Sequence, residues 1–323
     1  MKEIDVIIPV YKPDKTFFTL IDRLENQTVP VGKIILINTE QKYFDRLLYG
    51  TSLLGKYKNI FVTHISKKEF DHGATRNSGV KKSEAPIFVM MTQDAVPADE
   101  YLIENLVRPL EKDKTVVSYA RQLPAKDCNE IERFIRTFNY PGTGMEKSAE
   151  DMENLGIKTY FCSNVCAAYK REVFDSLGGF IRHTIFNEDM IYAAGAVKAG
   201  YRIVYAADAE VIHSHNYTCM KQFHRNFDLG VSQAEHPEIF DKVVSEKEGI
   251  SLMKKMTSHL WKKGKRRYIP VFYINSACRY AGFFLGKHYK KIPMGLVMKF
   301  TMNREYWERD KRIRSGMKFN SGS

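Results

Sequence analysis

No run of about eighteen uninterrupted apolar residues occurs in this 323-residue chain, so no helix is expected to span a bilayer. The N-terminus lacks the long apolar core and small-residue cleavage site of a secretory leader, and runs at once into a strand-like segment. Cysteine is scarce: Cys128, Cys162, Cys166, Cys219 and Cys278 are odd in number and form no two Cys-x-x-Cys pairs. That excludes a four-thiolate zinc site and a disulfide-built scaffold. The expectation is free, buried thiols in a reducing, cytoplasmic compartment. Internal repeats and low-complexity tracts are also missing, which leaves an ordinary globular composition, 44% hydrophobic and 27% charged.

What the chain has in excess is positive charge, and that charge is placed unevenly. The formal net charge is +12, yet residues 251–323 alone carry 18 Lys and Arg against 3 acids. The chain before residue 251 is close to neutral. Such asymmetry points to a polyanionic partner for the C-terminal segment.

Short Val- and Ile-rich runs at 4–10, 33–38, 60–65, 87–91 and 116–122 alternate with helical patterns at 15–26, 74–83 and 99–110. Strands that are apolar throughout and separated by helices predict an α/β fold with a mostly parallel sheet. Ligands of such sheets lie beyond the carboxyl ends of the strands, so candidate residues are sought there. A polar stretch at 139–156 reads as a loop. Gly178-Gly179-Phe180 closes one helix, a second spans 189–199, and Gly200 stops it ahead of a strand at 201–205. Beyond Pro237 the pattern is helical and increasingly basic.

The strand ends bring polar residues in order. Pro9 and Tyr11 follow the first strand; Asn38 and Glu40 follow the second, where they can touch a nucleotide base or simply turn the chain. Asp71-His72-Gly73-Ala74-Thr75-Arg76-Asn77 sits at a helix start, where backbone N–H groups and a guanidinium suit an anion. Gln93 and Asp94 follow the fourth strand, and a carboxylate there can hold a divalent cation. Glu188-Asp189 opens a helix. His213 and His215, two apart on an extended segment, point to the same side and can share a cation. Each element taken alone has a structural reading as a turn, a cap or a local ion pair.

Their succession resembles the inverting family-2 glycosyltransferases of the GT-A fold. The residues that carry it are Val6–Tyr11, Asn38–Glu40, 72–79, Thr92-Gln93-Asp94-Ala95-Val96-Pro97, Gly178-Gly179-Phe180, Glu188-Asp189 and His213. More narrowly, Glu69-Phe70-Asp71-His72-Gly73-Ala74-Thr75-Arg76-Asn77 and Asn187-Glu188-Asp189-Met190, with the basic aromatic tail around Tyr306-Trp307, are similar to bacterial polysaccharide rhamnosyltransferases. Thr92 stands where the first acid of the metal motif belongs, which leaves Asp94 as its one carboxylate.

The resemblance implies a transferase domain over residues 1–235, donor-binding to 125 and acceptor-side from 126, then a helical, membrane-associating region at 236–323. It implies Mg²⁺ or Mn²⁺ held by Asp94, His213 and His215, and a nucleotide-sugar donor, a dTDP- or UDP-sugar with dTDP-rhamnose first. Pro9, Tyr11, Asn38, Glu40, Asp71, Arg76, Asn77, Gln93 and Asp94 are then the donor side. Asp189 is the general base, with Glu188 binding the acceptor or orienting Asp189, or the two exchanging roles. The acceptor is a lipid-linked saccharide, and the basic aromatic tail suits the anionic inner face of the cell membrane, with packing on the transferase domain behind a solvated basic face as the other reading of that segment. No nucleic-acid motif accompanies that tail, so nucleic acid is not expected as a partner. A sugar-nucleotide binder without activity is the other reading, and Thr92 is what carries it.

Overall fold

The computed structural model describes residues 3–241 and 246–314. Nine strands form one sheet: β1 (Ile4–Tyr11), β2 (Ile34–Thr39), β3 (Ile60–Ile65), β4 (Ile87–Met91), β5 (Val96–Pro97), β6 (Thr115–Leu123), β7 (Met145–Lys147), β8 (Cys166–Lys170) and β9 (Arg202–Ile212). Their spatial order is β3-β2-β1-β4-β8-β6-β9-β5, with β7 laid against β9. All five strands expected in the first half are present, and helices Thr16–Glu25, His72–Val80 and Leu102–Val107 fill the expected gaps.

Alternation along β1 explains why it reads as apolar throughout. Val6, Ile8 and Val10 pack with Phe17, Leu20, Ile21 and Leu24 on one face, while Ile7 joins Phe88, Tyr169, Phe174 and Phe180 on the other. Both faces are covered, and the one buried polar side chain of β1 among the described residues, Asp5, accepts hydrogen bonds from the Lys33 N–H and the Ser83 hydroxyl. Each apolar side chain removed from water contributes roughly 1.5–3 kcal/mol.

Strand direction decides where the site lies. β1, β2, β3 and β4 run parallel to one another, β8 is antiparallel to both β4 and β6, and β6 runs parallel to β9. Consequently β1, β2, β3, β4, β6 and β9 all end at one edge. β8 begins there, with Cys166 opposite Met91.

Two segments depart from the sequence reading. The stretch 139–156 is not simply a loop: it holds β7, which pairs with β9, and a capped turn in which Ser148 and Asp151 bond each other. A three-residue strand carries too little pattern to be read. β9 also runs well past residue 205, to Ile212, through a register shift opposite Ala120 and Arg121.

The C-terminal helices wrap back onto this frame. Helix Tyr268–Lys287 lies along helix Cys219–Glu235 at backbone contact: a Cβ on Gly282 would stand 2.2 Å from the Phe223 carbonyl oxygen, and one on Gly286 2.1 Å from that of Phe227. The same approach brings Cys219 and Cys278 together as a disulfide, Cα atoms 5.8 Å apart. This corrects the expectation of five free thiols; Cys128, Cys162 and Cys166 are free and buried. Fifty-nine residues separate the bonded pair, so only the helix packing could reveal it.

Tyr306 and Trp307 are buried with Phe227, Val231 and Tyr289. Helix Arg304–Arg314 then returns over the start of helix His72–Val80, with Glu305 on Lys67 at 2.5 Å and Arg309 near Asp71 at 3.8 Å. The last part of the basic tail, residues 315–323, lies outside the described residues. No helix among the described residues is long and apolar enough to cross a membrane.

Candidate active site

The turn after β4 carries Asp94, and the end of β9 carries His213 and His215. Chain direction alone puts these at the same sheet edge. Asp94 Oδ1 lies 3.6 Å from His213 Nε2 and Oδ2 lies 3.4 Å from His215 Nε2. One ligand atom from each of the three falls within 4.8 Å of the others.

The second nitrogen of His213 is committed elsewhere. Nδ1 lies 3.0 Å from Gln122 Oε1, at the end of β6. Arg136 also bonds that Gln122 atom, and a guanidinium can only donate, so the atom is the amide oxygen. His213 Nδ1 must therefore donate to it. Only Nε2 is left to face Asp94, and there it either gives the carboxylate a proton or shares a cation with it. Gln122 Nε2 continues the chain to the Tyr140 hydroxyl at 2.7 Å and Ser163 Oγ at 3.1 Å.

Burial by itself would raise the Asp94 pKa. The hydrogen bond and charge of His213, with the charge of His215, outweigh it and hold the carboxyl well below its ordinary range. Burial, with the neighbouring His213, drives His215 down to about 4. An ionised carboxylate beside an imidazole with a free lone pair is a donor set that fits a divalent cation.

The dyad lies deeper. Glu188 is buried, its Oε1 3.2 Å from Arg76 Nε and 3.1 Å from Asn164 Nδ2. Burial opposes its ionisation, but Arg76, then His72 and the Asn164 bond, hold its pKa below the usual value. Asp189 is less enclosed. Its Oδ2 accepts from the Asn164 backbone N–H at 2.9 Å and its Oδ1 from that of Met190 at 2.8 Å. Burial, then the Glu188 charge, push its pKa up to about 7. Each oxygen keeps a further lone pair.

Asn164 precedes β8, so the dyad meets the triad where β4 ends and β8 begins. From His213 the contacts run through Gln122 to Ser163, and Asn164 next in the chain holds Asp189. Acids ninety-five positions apart thus belong to one network.

Other sequence candidates are arranged around this. Gln93 clasps Tyr11, accepting from its N–H and donating to its carbonyl, both at 2.8 Å, which ties the ends of β1 and β4 together. Pro9 lies in β1 opposite Ile37. Asn38 is buried; its Nδ2 donates to His64 Nδ1 at 2.9 Å, and its Oδ1 is buried without a hydrogen-bond partner. Glu40 accepts from the Lys67 N–H at 2.8 Å.

Asp71, Arg76 and Asn77 have partners within the fold. Asp71 caps its helix, accepting from Ala74 N–H at 2.8 Å. Arg76 is buried on Glu188 and donates to the His72 carbonyl at 3.0 Å, so its charge serves the dyad. Asn77 binds both backbone groups of Phe180, at 2.7 and 3.0 Å. Gly73 completes that join: a Cβ there would lie 1.7 Å from the Ile181 carbonyl oxygen.

Gln122, Arg136 and Asn164 escaped the sequence reading. Gln122 does end a recognised strand, which is the one local signal. A concavity of about 500 Å³ also opens beside Gly178–Arg182, Ile191, Tyr192 and Gly195, a lining that includes none of the acids or histidines above.

A sequence model of glycosyl transferase family 2 matches residues 5–178. The O-antigen chain rhamnosyltransferase RfbN of Salmonella typhimurium is 38% identical over 307 residues, 94% of this chain and 96% of its own length. WbaN of Salmonella anatum, also an O-antigen chain rhamnosyltransferase, is 37% identical over 311 residues, 95% and 96% of the two chains. A mannosyltransferase from Pyrobaculum calidifontis, solved with GDP-Man and Mn²⁺, superposes with a TM-score of 0.54 at 14% identity, covering 98% of this chain and 88% of that one. TarS of S. aureus, residues 1–349 with UDP, gives 0.50 at 14% identity over 90% and 91%. At such identities these two structures speak to fold alone: a GT-A-like, mostly parallel sheet flanked by helices.

Proposed function

The chain belongs to glycosyl transferase family 2, and from that premise we propose that it transfers L-rhamnose from dTDP-rhamnose, with inversion, to a lipid-linked saccharide in the synthesis of a bacterial cell-surface polysaccharide. That it is a glycosyltransferase follows from the family. The sugar is supported by two O-antigen chain rhamnosyltransferases that align along nearly its whole length.

The observation that carries the chemistry is the pairing of an ionised, histidine-flanked Asp94 with an Asp189 whose pKa is raised to about 7. Asp189 accepts the proton of the acceptor hydroxyl as that oxygen bonds the anomeric carbon and the bond to the departing diphosphate breaks. A base poised near the working pH contributes about 10²–10⁴-fold. Glu188, ionised on Arg76 and Asn164, is the poorer base and the better anchor.

A divalent cation on Asp94, His213 and His215 would offset the charge of the leaving diphosphate. Two imidazoles depart from the all-oxygen shell that Mg²⁺ prefers, which favours Mn²⁺. On the donor side, the unpartnered Asn38 Oδ1 is suited to an N–H of the nucleotide base.

We assign residues 1–235 to transfer and the helices beyond to the anionic inner face of the cell membrane. Tyr273, Tyr280 and Phe284 are exposed at helical spacing with Ala277, 47%, 70% and 49% accessible for the three aromatics. Exposed Lys262, Lys263, Arg266 and Arg267 stand at one end of that helix and Lys290 and Lys291 near the other. Aromatics flanked by cations suit a lipid headgroup boundary.

Incubating the purified chain with dTDP-rhamnose and a panel of UDP-sugars, with Mn²⁺ or Mg²⁺, tests the assignment. Hydrolysis or transfer from dTDP-rhamnose, faster with Mn²⁺, is expected. Turnover of a UDP-sugar alone would replace the donor, and binding without turnover of any donor would sink the enzyme reading.

A further inference from the structure

Arg225, on helix Cys219–Glu235, is exposed and has no anionic partner among the described residues. Its guanidinium lies 4.7 Å from the Phe186 ring centroid and 6.0 Å from that of Tyr217. Phe186 is three residues before Asp189. Tyr217 stacks on His215 with centroids 4.8 Å apart, and His215 faces Asp94. The guanidinium therefore adjoins the triad through Tyr217 and His215.

Among the described residues it has no hydrogen bond and no ion pair, and it is exposed to solvent. Asp228, one turn along the same helix, accepts from Thr301 Oγ1 at 2.7 Å and from the Met302 N–H at 2.9 Å instead. Contact with ring faces fixes a guanidinium plane without neutralising its charge, and leaves its N–H edge free for a planar or tetrahedral anion.

We propose that Arg225 is a diphosphate-binding residue of this cleft. The inference rests on the transferase reading above, which supplies the anion. The ionised Asp94 carboxylate repels a bare diphosphate, so a fixed, unpaired cation beside the triad has a physical task. Arg76, the arginine that the motif first suggests, is buried on Glu188 and has no such freedom.

Two sources carry the same chemistry: the nucleoside diphosphate of the donor and a prenyl diphosphate of the acceptor. The test is calorimetric titration of the full chain in Mn²⁺ with dTDP, dTMP and geranyl diphosphate, comparing the parent protein with Arg225→Met and Arg225→Lys. The side chain is exposed and makes no hydrogen bond or ion pair, and Met or Lys can still lie against the Phe186 ring, so the variants should stay within a few degrees of the parent melting temperature.

A loss of about tenfold or more for dTDP in Arg225→Met, with dTMP and Mn²⁺ binding unchanged and partial recovery in Arg225→Lys, supports the inference and names the donor. The same loss confined to geranyl diphosphate supports it and names the acceptor. Equal affinity of parent and Arg225→Met for both diphosphates overturns it. A parent that binds neither dTDP nor, in a parallel titration, UDP would instead bring down the transferase reading.

Discussion

The open rim around Asp94 and the floor around Asp189 treat the same side chain in opposite ways. At the rim, His213 and His215 sit against the carboxylate and keep it ionised. On the floor, burial and the Glu188 charge raise Asp189 to about 7, while Arg76 is spent on Glu188. Divergent environments around paired titratable groups are how one cleft separates charge-holding from proton transfer. The difference is what supports the separate roles proposed for the two, which the residue types alone leave interchangeable.

The sharpest way to break that contrast is to remove the carboxylate proposed as proton acceptor. Asp189→Asn is expected to lower kcat by about 10²–10⁴-fold while leaving dTDP binding intact. The parent rate should rise with pH toward a plateau above about 7. The same group shapes stability. In the unfolded chain Asp189 titrates near 3.8, in the folded chain near 7, so between those values the native state holds the extra proton. Stability from this group therefore falls as pH climbs through that window. Asp189→Asn should flatten that slope in melting curves, even if its amide, unable to accept from both Asn164 and Met190, lowers the melting temperature throughout. A variant with parental turnover or an unchanged slope would contradict the assignment.

At the rim the expected effect is on binding. Asp94→Ala should abolish the enhancement of dTDP affinity by Mn²⁺, read by calorimetry with and without the metal. Undiminished enhancement would mean that the cation sits elsewhere. A smaller effect tests the layer behind. Gln122→Leu frees His213 Nδ1, and losses of about 10–100-fold in metal affinity are usual when such an orienting partner goes. Paramagnetic resonance of Mn²⁺ measures this without turnover; unaltered affinity would reduce Gln122 to a structural residue.

How much of this was legible beforehand follows the range of the interactions. The bounds of 87–91 match β4 to the residue, because burial on both faces writes itself into consecutive side chains. Those of 60–65 match β3 as well, although this edge strand is only half-buried and its β-branched residues carry the signal. β7 was not legible, since its reason for being a strand is β9, nearly sixty residues away. Asp94, Glu188, Asp189, His213 and His215 stood out by spacing and order. Gln122 and Asn164 did not, because an amide acquires a role only from the groups that fold against it. Arg76 and Arg225 mark the same boundary. A motif drew attention to the arginine that is buried on Glu188, and packing left exposed the one that no motif marked.

By itself the amino-acid order determined an α/β sheet, the acids and imidazoles beyond its strands, and a basic aromatic C-terminus, because periodicity and charge are local properties of a chain. The partners of those side chains were decided only in three dimensions. Whether a carboxylate is held ionised or made to keep its proton, which cation stays free, and which two cysteines meet across helices packed on glycine all depend on distances between residues far apart in the chain.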